Sequence, residues 1–213
     1  MPFDQRPGRP GRSEPAINLP PLTLGLIVVL LVLHLLRQML TDDVDNDLIQ
    51  TFALIPARYL GDLKADGASL LLAPLTHMFL HGDWAHVAIN AATLAAFGAP
   101  VERFLGGPRF LLFFLATGLA GSALQAAIYP TSDVPMLGAS GAISGLFGGL
   151  LLLMRQRGTM TALVPFALLW VAMQLGLGLF GTTAGGDLIA WAAHVGGFFA
   201  GLLLIRPFAG WRW

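Results

Sequence analysis

Ser140, in the run Gly138-Ala139-Ser140-Gly141, and His194, in the last apolar segment, are the residues whose types suit a reaction. A serine hydroxyl is a weak nucleophile until a base takes its proton, and an imidazole commonly fills that role. His194 is the only histidine in the second half of the chain. Both residues stand in stretches apolar enough for lipid, where polar and ionisable side chains are costly and usually mark a working site. A third group often orients the imidazole. The nearest carboxylate in sequence, Asp187, is seven residues from His194, about 10 Å along a helix. The expectation is therefore a Ser–His dyad rather than a triad. Acyl transfer also needs donors aimed at the developing oxyanion. His86 and Asn90 are spaced i, i+4 on one helix face. The backbone N–H groups of Ser140 and Gly141 open a helix, where negative charge is favoured.

The same residues have plainer uses. Small residues in membrane helices mostly serve packing, so Gly-x-Ser-Gly alone is a weak signal. His86 with Asn90 also suits an interhelical hydrogen-bond clamp. His34 reads as structural, and Glu102 with Arg103 reads as a cap on its own helix at the cytoplasmic face, with pairing inside the bundle as the alternative for Glu102. His77, His81 and His86 lack a His-Glu-x-x-His arrangement, and Asp83 is the one carboxylate near them, so neither metal nor other cofactor is expected.

The elements that must position these groups are membrane spans. Of 213 residues 55% are hydrophobic and 11% charged, where a soluble domain carries about 25% charged residues. The class implied is an all-α polytopic membrane protein in a lipid bilayer, with no nucleic-acid partner. The absence of cysteine excludes disulfides, thiolate metal sites and a cysteine nucleophile. Residues 1–20 are rich in Pro, Gly and Arg and read as a disordered tail. Six apolar segments follow, at about 21–40, 84–104, 110–129, 141–154, 162–180 and 188–205. The domain is taken as 21–206, with 207–213 a short tail. Arg6, Arg9, Arg12, Arg103, Arg109, Arg155, Arg157, Arg206 and Arg212 fall on one side of these spans. Asp42, Asp43, Asp45, Asp47, Asp62, Asp66, Asp83, Asp133 and Asp187 fall on the other. Both termini are therefore expected in the cytoplasm. Loop 41–83 is long and of mixed polarity, as functional loops often are.

With the basic residues as cytoplasmic markers, Ser140 lies about 22 Å above the inner edge, His194 about 18 Å, Asn90 about 20 Å and His86 about 25 Å. Four polar side chains from three spans thus reach one level if spans two, four and six are neighbours. Span four is short for a hydrocarbon core of about 30 Å. The chain before it, residues 130–138, must then dip into the membrane as irregular backbone, tolerated only against protein or beside a water-filled cavity. Gly141, Gly145 and Gly149 on span four, and Gly197 and Gly201 on span six, repeat every four residues. Such small faces let helices approach closely.

These motifs resemble those of the rhomboid intramembrane serine proteases. The resemblance is carried by His77-Met78-Phe79-Leu80-His81-Gly82 with His86-x-x-x-Asn90, continued by Phe97-Gly98 and Glu102-Arg103-x-x-Gly106. Gly138-Ala139-Ser140-Gly141 with Ser144-Gly145, and Ala193-His194-Val195-Gly196-Gly197 with Gly201, complete it over roughly residues 20–206. It implies a six-span rhomboid-like bundle with a short central fourth helix and a long first loop. It also implies Ser140 as nucleophile, His194 as general base, and His86, Asn90 and the Ser140 N–H around the oxyanion. Substrates would be single-span membrane proteins cut in or near the span. They would come in beside span five, with loop 181–187 as a cap. A six-span form implies a prokaryotic cytoplasmic membrane. The first loop departs from the family pattern, carrying Ala57-Arg58-Tyr59 where many members have Trp-Arg.

Two other classes compete. A non-catalytic rhomboid-like protein would bind membrane clients, but such proteins typically lack the serine or the histidine. A small-solute transporter would carry an inverted repeat, and Ser140 and His194 have no counterparts in the first three spans.

Overall fold

The computed structural model describes residues 18–60, 63, 67–156, 158, 163–180 and 190–210. The expectations for residues 1–17, the cap loop 181–187 and residues 211–213 lie outside these. The chain is built from helices α1 (Pro21–Arg37), α2 (Asp42–Phe52), α3 (Ala57–Leu60), α4 (Gly67–Thr76), α5 (Trp84–Leu105), α6 (Gly107–Ile128), α7 (Ser140–Gln156), α8 (Leu163–Phe180) and α9 (Trp191–Ala209). A 3-10 turn, His77–Phe79, joins α4 to α5. Among the described residues the only β pairing is an isolated antiparallel bridge between Leu54 and Met136. Helices α5, α6 and α9 are long and apolar enough to cross a membrane, while α1 and α8 are shorter apolar helices.

Apolar residues face outward as well as inward. Leu24, Val28, Val32 and Leu35 of α1 and Val164, Leu168, Met173 and Leu175 of α8 face outward. The interior is lined by α7, whose buried residues include Gly141, Ala142, Ser144, Gly145, Leu146, Gly148, Gly149, Leu151 and Leu153. A helix apolar or small on all sides belongs at the centre. At 17 residues it rises only about 25 Å, and residues 129–139 before it are non-helical. The sequence-based neighbours need one correction. Helices α5 and α9 flank α7 but scarcely touch, and α6 packs closely against both α7 and α9. The buried face of α6 carries Thr117, Gly118, Gly121 and Ser122, small and polar residues three and four apart that let it approach both helices.

Local chemistry explains the helix ends. Pro21 starts α1, where a missing N–H costs nothing. The next donors are met by α5: the Leu22 and Thr23 N–H groups donate to Glu102 Oε1 and Oε2 at 3.1 and 2.6 Å, and Thr23 Oγ1 donates to Oε2 at 2.7 Å. Glu102 therefore caps α1 rather than its own helix, and its charge sits at the positive end of the α1 dipole. Arg103 donates to the Asn18 carbonyl. Asp83 caps α5 by accepting from the His86 N–H at 2.7 Å. Gly106, at φ 80°, ends α5 and begins α6.

The first loop is held by side chains. Arg37 forks onto Asp45 at 2.7 and 2.8 Å and donates to the His81 carbonyl at 2.7 Å. Arg58 donates to Gln50 Oε1 at 2.9 Å and to its carbonyl, and Tyr59 donates from its hydroxyl to the Leu70 carbonyl at 2.9 Å. Ala57-Arg58-Tyr59 thus anchors the loop without a Trp-Arg pair. His34 packs edge-on against Trp84, in keeping with a structural role.

Glu102→Ala strips three donors at the α1 terminus of their acceptor. It should cost about 3 kcal/mol, read as a lowered unfolding temperature in detergent; an unchanged temperature contradicts the cap. Burial pushes the His77 imidazole down to about 3, and burial with the neighbouring His86 and His34 does the same for His81. The unfolded chain takes up these protons first, near the ordinary value of 6.5. Stability should therefore be full above that pH and fall as pH drops from there toward 3, measured by thermal unfolding across pH; a flat profile contradicts it.

Candidate active site

Ser140 is the first residue of α7. Its approach is set by Gly138, at φ 109°, a conformation open to glycine and strained for other residues. The Gly138 N–H donates to the His77 carbonyl at 2.9 Å, and the Met136 N–H donates to the Leu54 carbonyl at 2.8 Å. The irregular strand before the serine is thus paired with the first loop, which satisfies backbone that lipid cannot.

His194 lies in the first turn of α9. That turn is tied to the end of α6 by Ala193 N–H donating to Gln125 Oε1 at 3.3 Å and Trp191 Nε1–H donating to Tyr129 Oη at 2.9 Å. Farther down, the helices touch backbone to backbone. A Cβ on Gly197 would run into the Gly141 carbonyl, and one on Gly201 into the Gly145 carbonyl. At this separation His194 Nε2 stands 2.8 Å from Ser140 Oγ. Both side chains retain partial exposure while Ala139, Gly141 and Ala193 around them are buried.

His86 borders the same space. A Cβ on Gly138 would stand 2.7 Å from His86 Nε2 and 3.8 Å from Ser140 Oγ. Asn90 is buried one turn along α5, with Nδ2 donating to the His86 carbonyl at 2.9 Å and Oδ1 unpartnered among the described residues. His81 and His86 meet edge-on at 5.0 Å.

Sequence reasoning missed one residue. Gln174 Oε1 lies 2.7 Å from His194 Nδ1, on the opposite side of the ring from the serine. Gln174 offers an amide, whereas the group that orients an imidazole is usually a carboxylate. A glutamine inside the apolar stretch of α8 was the available signal.

The chain belongs to the rhomboid family. The Rhomboid domain matches residues 71–210, and the protein is an integral membrane protein set in a lipid bilayer. It is 37% identical over 142 residues to RHOMBOID-like protein 4 of Arabidopsis thaliana, covering 62% of this chain and 34% of that one. It is 36% identical over 138 residues to the rhomboid protease GluP of Bacillus subtilis, covering 64% and 26%. It is 31% identical over 140 residues to Rhomboid-like protease 5 of Toxoplasma gondii, covering 64% and 16%. The chain thus matches about a third or less of the length of these relatives.

Gly138→Ala would meet both a strained φ and the His86 ring. It should cost about 1–3 kcal/mol of stability and displace His86, seen as a changed imidazole NMR signal for that residue. An alanine variant with unaltered melting and an unaltered His86 signal contradicts the tight approach.

Proposed function

We propose that this protein is an intramembrane serine endopeptidase that cleaves single-span membrane proteins in or near their membrane segment. The observation that carries the reading is the 2.8 Å contact between His194 Nε2 and Ser140 Oγ, a base within reach of a nucleophile. Family membership, with relatives named as proteases, supports the reaction class.

In this mechanism Ser140 Oγ attacks the peptide carbonyl carbon and its proton passes to His194 Nε2. The carbonyl oxygen takes up negative charge in a space bordered by His86 Nε2, with the Ser140 N–H at the start of α7 and Asn90 as further donors. His194 then protonates the leaving amine and the C–N bond breaks. Water attacks the acyl-enzyme, giving a proton to His194, which passes it to Ser140 Oγ as the acyl C–O bond breaks and the acid product leaves. Partial exposure of Ser140 and His194 supports access for that water.

The reading includes six spans with both termini in the cytoplasm and the domain running over residues 21–206. It includes substrate access beside α8 and residence in a prokaryotic cytoplasmic membrane. The one-sided distribution of arginine supports the orientation.

Purified protein in liposomes should cleave a model single-span substrate. Ser140→Ala and His194→Ala should each lower the rate by at least about 10³-fold while melting at the unmutated temperature. Cleavage that survives Ser140→Ala overturns the reading.

A further inference from the structure

We propose that Gln174 is the positioning residue for His194, setting which imidazole nitrogen faces Ser140. This rests on the Ser140–His194 reading above. A neutral imidazole carries one N–H, on either nitrogen. Gln174 Oε1, 2.7 Å from Nδ1, is an amide oxygen and carries no proton, so the contact is a hydrogen bond only when the Nδ1 atom holds the ring proton. Nε2 is then left with its lone pair toward Ser140 Oγ, 2.8 Å away. That is the tautomer a general base requires. When Nε2 accepts the serine proton, the imidazolium has a donor on each side and keeps an acceptor at Nδ1. The Nδ1 proton stays where it is throughout, so Gln174 neither gives nor takes a proton. A neutral amide here does the orienting that a buried carboxylate does in a Ser-His-Asp triad.

The burial pattern of α8 points the same way. Among its described residues Gln174, at 2% exposure, is the only one fully buried. The helix otherwise presents apolar residues outward, so packing alone calls for an apolar side chain at that point. An amide shut away from water is costly unless it is hydrogen-bonded, and His194 supplies the bond. Four residues earlier, Trp170 packs against Phe147 of α7 and Phe198 of α9, at ring separations of 4.9 and 6.1 Å. This contact sets the register of α8 so that Gln174 reaches the ring. The orienting bond therefore comes from a helix outside the α6–α7–α9 core, and the base is held in its tautomer only while α8 is seated.

The test compares Gln174→Leu, Gln174→Met and Gln174→Glu in the full chain in lipid nanodiscs, by cleavage kinetics, melting and 15N NMR of the His194 ring. In unmutated protein the Nδ1 atom should carry the ring proton. The Leu and Met variants should show mixed tautomers, with kcat down about 10–100-fold and KM within about twofold, while Glu, which keeps an acceptor oxygen, stays within about fivefold of unmutated kcat. Two variants lacking the acceptor keep the test open where one fails to fold. Protonation of Nε2 in the unmutated protein overturns the proposal, as does an unchanged ring signal or unchanged kcat in the Leu and Met variants. An inactive unmutated chain with Nδ1 protonated counts against the protease reading and leaves the positioning role of Gln174 standing, because the NMR readout needs no turnover.

Discussion

The close seating of α9 on α7 is the constraint on which the rest depends. Lipid offers no hydrophobic gain for bringing two apolar helices together, so their separation is set by how near the backbones can come. Gly197 and Gly201 meet the Gly141 and Gly145 carbonyls, with no room for a side chain between. That distance brings two first-turn side chains, Ser140 and His194, into hydrogen-bond range. The repeating glycines and the candidate dyad are thus two ends of one geometric fact. Helix α6 reinforces it, with Gly121 against the Ala193 carbonyl and Gln125 on the Ala193 N–H.

A second constraint concerns backbone without helix. Residues 129–139 carry the chain from the end of α6 to the start of α7, and their polar groups need partners. The first loop supplies them: Leu54 pairs with Met136, His77 accepts from Gly138, and the Ser132 carbonyl accepts from Ala57. The loop is in turn anchored by Arg37 on Asp45 and by Arg58 on Gln50. The long first loop therefore acts as a brace for the strand that delivers Ser140. It also delivers His86 to Gly138, since Asp83 at the end of that loop caps α5.

Ser140, His194 and the small faces of α7 and α9 were legible because lipid makes polar residues rare and makes glycine spacing meaningful. The boundaries of α5, α6 and α7 were readable to within a few residues, since apolar runs, Pro108 and Gly106 mark them. Other contacts have no local signature. Glu102 is an i−1 neighbour of Arg103, and nothing in the sequence says that its carboxylate crosses to α1. Gln174 is neutral and belongs to no motif, so its sequence context does not tie it to His194. The packing of α6 had a signal that went unread: Thr117, Gly118, Gly121, Ser122 and Gln125 form a small and polar stripe at three- and four-residue spacing, and that stripe faces α7 and α9.

The most direct measurement is labelling of the reconstituted protein with a fluorophosphonate, followed by mass-spectrometric mapping of the adduct. A serine activated by its histidine forms the adduct at Ser140, and the adduct disappears in His194→Ala. An adduct at another residue, or labelling of Ser140 that persists unchanged without His194, contradicts the dyad.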